Sequence, residues 1–238
     1  MMNEILKSRS SSLDNYKEFT FSDSSKKDEH QVTIKILEDM FQLPGADYGT
    51  YIWPCAPILA QYVWQNKDLV RTQSILEIGA GTGLPGIVAA KCGANVILSD
   101  SNTKPLSLDL CRKSAELNGL KNVTVCGITW GEVTPTLTQL PPIDLILASD
   151  CFYHSKDFED VIMTMSFILH RCPNANVWCA YQERSSERSI EYLLDKWSLY
   201  GHELPLPSME HWTSSYDSHL KHIIRIYEIR IKMQNKVY

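Results

Sequence analysis

No apolar run in this sequence approaches the roughly 20 residues that a membrane-spanning helix requires, so no membrane contact is expected. The N-terminus carries no apolar segment of the kind that directs secretion. The seven cysteines (55, 92, 111, 126, 151, 172 and 179) include no C-x-x-C pair, and the seven histidines show no metal-ligand spacing, so no bound metal is expected. An odd cysteine count without a signal segment points to a reducing compartment. Positive charge is in deficit too: 23 Lys and Arg against 28 Asp and Glu give a net charge of −5. That balance lends no support to direct nucleic-acid binding and suits a basic partner better. No internal repeat is visible.

What is present is enough for one good core: 238 residues, 44% of them hydrophobic, but too few for two large domains. The most informative stretch runs from Ser74 to Gly86, Ser-Ile-Leu-Glu-Ile-Gly-Ala-Gly-Thr-Gly-Leu-Pro-Gly. A short apolar run reads as a buried strand. Gly79, Gly81 and Gly83 then alternate with small residues, and Pro85 stands where the first turn of a helix would accept it. The product is a strand–turn–helix with a ligand notch at the strand's C-terminal end.

A dinucleotide-binding turn would need a third glycine at position 84, which is Leu84. Glu77, two residues before the first glycine, would repel a pyrophosphate held at a helix N-terminus. S-adenosylmethionine (SAM) carries a sulfonium and an ammonium and no phosphate, so an acid there is an asset. The next strand, Asn95 to Asp100, also ends in an acid, and Asp100 is placed to accept hydrogen bonds from ribose hydroxyls.

Residues 1–28 are rich in Ser, Lys and Asp and are expected to form a flexible tail, with the folded domain spanning 29–238. His30 to Gln42 is assigned strand and then helix, Leu43 to Gly49 a loop, and Trp53 to Trp64 an amphipathic helix entered through Pro54. Strands at 74–78, 95–99, 122–126, 143–148 and 175–181 alternate with helices at 84–92, 103–118, 157–170 and 186–199, and Ile223 to Ile231 forms a last strand. This alternation predicts an α/β fold with a doubly wound, mostly parallel seven-stranded sheet of Rossmann-like type. The stretch from Gly201 to Lys221 gives no clear pattern.

These residues resemble the SAM-dependent seven-β-strand methyltransferases, specifically the methyltransferase-like group. The marks are Gly49-x-x-x-Trp53-Pro54, Leu76 to Gly83, Leu98-Ser99-Asp100, Trp130-Gly131 and Ala148-Ser149-Asp150-x-x-Tyr153. The likeness covers about residues 32 to 200 and implies a SAM-dependent enzyme that methylates protein side chains. Phe41 to Tyr51, Ala89 to Ala94 and Asp157 to Asp160 are similar to one branch of that group. For that branch the resemblance implies histone arginine as substrate, a nuclear and cytoplasmic location, and chaperones or transcription factors as further partners. It also implies that Trp53 and Trp130 are aromatic walls of the SAM site and that Ala148 brings backbone close to the adenine edge.

Asp150 ends the apolar strand Leu145 to Ala148 on the sheet edge that carries the glycine turn, and is the best-placed acid for a substrate nitrogen. Tyr153 is placed to bracket the substrate's alkyl stem, and Glu183, after the next strand, is a candidate second carboxylate. His154 reads as a surface residue. No closely spaced glutamate pair follows strand 143–148, and Glu183 and Glu187 come one strand later, so the arginine acceptor rests on the resemblance alone. Lysine and small-molecule acceptors stay open, as do a nicotinamide-dependent oxidoreductase, which Glu77 and Leu84 oppose, and a non-catalytic SAM-binding module.

Overall fold

The computed structural model describes residues 16–22, 31–38, 48–183, 190–207, 213–214 and 223–232. Its strands are β1 (Tyr16–Ser22), β2 (Gln31–Leu37), β3 (Ser74–Ile78), β4 (Asn95–Asp100), β5 (Val123–Gly127), β6 (Leu145–Ser149), β7 (Asn176–Gln182), β8 (Leu199–Leu204), β9 (Thr213–Ser214) and β10 (Ile224–Ile231). The helices are α1 (Cys55–Gln65), α2 (Lys67–Val70), α3 (Leu84–Lys91), α4 (Pro105–Leu117), α5 (Pro135–Thr138), α6 (Phe158–Arg171) and α7 (Glu191–Lys196).

The apolar runs bounded by turns become neighbouring parallel strands. β3 sits at the centre, with Leu76 opposite Ile97 of β4 on one side and Ile146 of β6 on the other. The full order is β5-β4-β3-β6-β7-β10-β8, and β10 runs antiparallel to both of its neighbours. Because strand side chains alternate, β3 feeds two cores. Ile75 packs on the face covered by α1 and α3, while Leu76 and Ile78 face α6. In α6, Phe158, Val161, Ile162, Met165 and Leu169 recur at helical spacing and are buried. Each contributes about 1.5–3 kcal/mol by leaving water. The doubly wound architecture expected from the alternation is the one observed.

The N-terminal segment departs from expectation. Tyr16–Ser22, read as part of a flexible tail, is a strand paired with β2 in the register Phe19↔Ile34 and with β9 through Thr20↔Thr213. Phe19 and Phe21 are fully buried, and Phe21 meets Trp64 with ring centroids 6.3 Å apart. The physical reason is the period-2 pattern of Tyr-Lys-Glu-Phe-Thr-Phe-Ser, which puts two aromatics on one face. Residues 1–15 and 23–30 lie outside the described residues, as does the helix expected after β2.

The outer edge of β2 is closed by α4. Asn118 Oδ1 accepts the Lys35 N–H at 3.0 Å, Asn118 Nδ2 donates to Lys35 O at 2.6 Å, and Ser114 Oγ accepts the Leu37 N–H at 3.1 Å. The hairpin also reaches toward the sheet's C-terminal end. Glu38, 5% exposed, accepts the Ile52 N–H at 3.0 Å and pairs with Lys17 at 2.8 Å. This fixes the segment that carries Tyr48 to Trp53.

Candidate active site

The glycine turn after β3 forms the floor of a cleft. Gly79, Gly81 and Gly83 have φ of 57°, 55° and 77°, where a side chain is strained. At Gly81 space is short as well, since a Cβ would lie 2.9 Å from Gly49 O. Asp100, the last residue of β4, holds the turn in place: Oδ2 accepts the Gly81 N–H at 2.9 Å, and Oδ1 accepts the Ser101 N–H at 2.7 Å.

Glu77 lies elsewhere than the sequence predicts. Strand alternation sends its side chain to the α3 face, beneath the turn, where it is fully buried and does not line the cleft. Its Oε2 accepts the Gly86 N–H at 2.8 Å, a contact that depends on Gly86 having no Cβ, which would stand 2.6 Å from that oxygen. Burial pushes the carboxyl up to about 8, with the Gly86 hydrogen bond opposing and Asp100 adding to the rise. The carboxyl expected beside the cofactor thus stands beneath the turn and off the cavity lining.

On the other side, β6 is followed by Asp150, whose N–H donates to Ala180 O at 2.9 Å and whose φ is 53°. Aspartate tolerates this left-handed conformation better than most residues. The bend brings Asp150 (6% exposed), Cys151 and Tyr153 onto the cleft. Burial raises the Cys151 thiol well above its ordinary value, so it remains a thiol. Burial is also the main cause that raises Tyr153, against the opposing charge of Lys104, and the phenol stays neutral.

A cavity of about 270 Å³ lies between these elements. It brings together Trp53, Gly79, Gly81, Asp100, Trp130, Asp150 and Tyr153, seven residues widely spaced in the chain that the sequence singled out. Trp53 is held by a hydrogen bond from Nε1 to Tyr48 O at 2.8 Å and meets Tyr51 edge-on at 5.3 Å. Trp130 lies against Gly79, where a Cβ would come within 2.4 Å of its ring, and stands 6.4 Å from the Tyr153 ring.

Gly83, Ala148 and Glu183 do not line this cavity. Gly83 caps α3, and Ala148 faces the α6 core between Ile78 and Cys179. Glu183, the second carboxylate singled out in the sequence, is engaged away from the cavity: its Oε2 accepts from Arg225 Nε at 3.0 Å, and Arg225 also bonds Glu203. The cause is the arrival of antiparallel β10 beside β7, which delivers a cation to Glu183 and ties it into the sheet. Glu187 lies outside the described residues. Tyr48, Lys104, Ser149, Cys151 and His154 line the cavity without having been assigned a role there. For Tyr48 and His154 the available signal was their position beside Gly49 and Tyr153.

Comparison with known proteins decides the family. A family model described as lysine methyltransferase matches residues 27–195. The chain belongs to that methyltransferase family. It is 48% identical over 184 residues to the histone-arginine methyltransferase METTL23 of Xenopus laevis, covering 77% of each protein. It is 49% identical over 160 residues to the human protein of the same name, covering 67% of this chain and 84% of that one. Among solved structures, a SAM-dependent methyltransferase from Aquifex aeolicus overlays with a TM-score of 0.52 at 15% identity, over 75% of this chain and 94% of the other. At that identity the shared property is the fold.

Proposed function

We propose that this methyltransferase transfers the methyl group of SAM to a nitrogen of a protein side chain, with histone arginine as the acceptor. The observation that carries the proposal is one cleft in which the glycine turn, Asp100 and two tryptophans meet Asp150 and Tyr153. The residues fit SAM: a Cβ-free turn admits a ligand close to the backbone, Asp100 brings a carboxylate to the cavity lining, and Trp53 and Trp130 bring aromatic rings to it. When bound, SAM supplies a methyl group on a cationic sulfur.

The chain's own residues then have to position the acceptor. Asp150, buried and fixed by β6–β7 pairing, orients the cationic group and steadies charge that shifts during transfer. Tyr153 remains protonated and brackets the substrate stem. Support for arginine comes from the names of the two relatives. A lysine acceptor is the second reading, favoured by the family's description and by the engagement of Glu183 with Arg225, which leaves Asp100 and Asp150 as the acids among the described lining residues.

Incubation with radiolabelled SAM and purified core histones, followed by mass spectrometry of the labelled residue, tests the proposal. Label on arginine supports it, label on lysine replaces arginine with the second reading, and no transfer overturns it. A nuclear and cytoplasmic site of action belongs to this reading and is tested by fractionation of cells expressing the tagged chain.

A further inference from the structure

We propose that Tyr48 is a specificity-determining residue on the acceptor side of the cleft: its ring, with those of Tyr153 and His154, forms a slot that receives a cationic substrate side chain. This rests on the nitrogen-methyltransferase reading above. Tyr48 is 58% exposed, although it sits in a segment that is otherwise tied down. Its ring centroid lies 6.4 Å from that of Tyr153 at 55° and 6.2 Å from that of His154 at 76°, and those two rings are 4.7 Å apart. Three neighbouring, non-parallel rings thus share the lining of a cavity that Asp150 also lines. Ring faces attract cations, and a flat guanidinium stacks on them. A neutral acceptor would gain little from either the faces or the carboxylate.

The placement of Tyr48 does not depend on its own side chain. Trp53 Nε1 bonds the main-chain oxygen of Tyr48, and the following Gly49 O rests against Gly81. The turn Tyr48–Thr50 therefore spans the glycine floor and the acceptor lip, and sets the Tyr48 ring between Trp53, 6.3 Å away, and the pair Tyr153 and His154.

The test compares wild type, Tyr48→Ala and Tyr48→Phe in the full chain, with core histones as acceptor. In Tyr48→Ala the apparent KM for histones should rise about two- to fivefold, the scale of one solvent-exposed cation–ring contact. The kcat, the SAM dissociation constant and Tm should stay at wild-type values, and Tyr48→Phe should restore KM, because the ring face and not the hydroxyl holds the cation. An unchanged KM in Tyr48→Ala overturns the slot. So does a loss of SAM affinity that matches the rise in KM, which would assign Tyr48 to the cofactor wall. Absence of methyl transfer by the wild type, seen before any variant is made, overturns the underlying reading and the slot together.

Discussion

Asp150 combines a left-handed backbone with near-complete burial, and its main-chain N–H is held by Ala180 O of β7. Asp150→Asn keeps shape and most hydrogen bonding and removes the charge. Turnover should drop about a hundredfold or more, with SAM affinity by calorimetry close to wild type. Asn also tolerates a positive φ, so Tm should hardly move. Glu77 behaves differently because its ionisation is coupled to folding. Its folded value of about 8 stands above its ordinary 4.5. Between those values the folded chain keeps a proton that the unfolded chain has released. The stability is full below about 4.5 and is lost as pH rises through about 8. Glu77→Gln retains an oxygen for the Gly86 N–H and cannot ionise. Its Tm should match wild type near pH 5 and exceed it near pH 9, as read by calorimetry across that range.

At the scale of elements, the β1–β2 hairpin links the core to the cleft through Glu38 and Ile52. Phe19→Ala opens a cavity against Ile34 and the α1 side of the core, and should cost about 3–5 kcal/mol. For a chain of this size that is a Tm decrease of roughly 10 °C. Glu183→Gln addresses the sheet rather than the chemistry. Its partner Arg225 is partly exposed, so the loss of stability should be small. The kcat should stay within about twofold of wild type in the histone assay, far from the loss expected at Asp150.

The elements also show where the sequence was legible. Parallel strands were readable because each is a short apolar run closed by a turn, and Asp100 and Asp150 because they end such runs. The hairpin was hidden by its polar surroundings, and β8, Leu-Tyr-Gly-His-Glu-Leu, by its exposed side chains. The orientation of Glu77 turns on which sheet face takes odd-numbered residues, a parity that depends on packing. The meeting of Tyr48 with Tyr153 and His154 spans more than half the residues between the first and last described strands, so no local pattern encodes it.

For the whole molecule, the consequential feature is the sheet order, with β10 inserted between β7 and β8. Each of its edges is paired: Ile229 with Val177 on one side and with Gly201 on the other. Deleting residues 224–238 should strip β8 from the sheet and expose β7 without removing any lining residue of the cleft. We expect the shortened chain to partition into the insoluble fraction or, where soluble, to bind a hydrophobic dye and lose its cooperative melt. A soluble, cooperatively melting product would contradict this account of the sheet.

The same order has a consequence during biosynthesis. β7 is complete once Gln182 is made, yet its second hydrogen-bonding edge has no partner until translation has passed Ile231. At about 5–20 residues per second that interval lasts several seconds, long compared with the microseconds in which strands pair. The open edge belongs to the run Val177 to Tyr181, whose side chains end up buried. A nascent chain paused in this window therefore presents a sticky strand to its neighbours on the same message. The yield of native protein should depend on how quickly the codons after Gln182 are read.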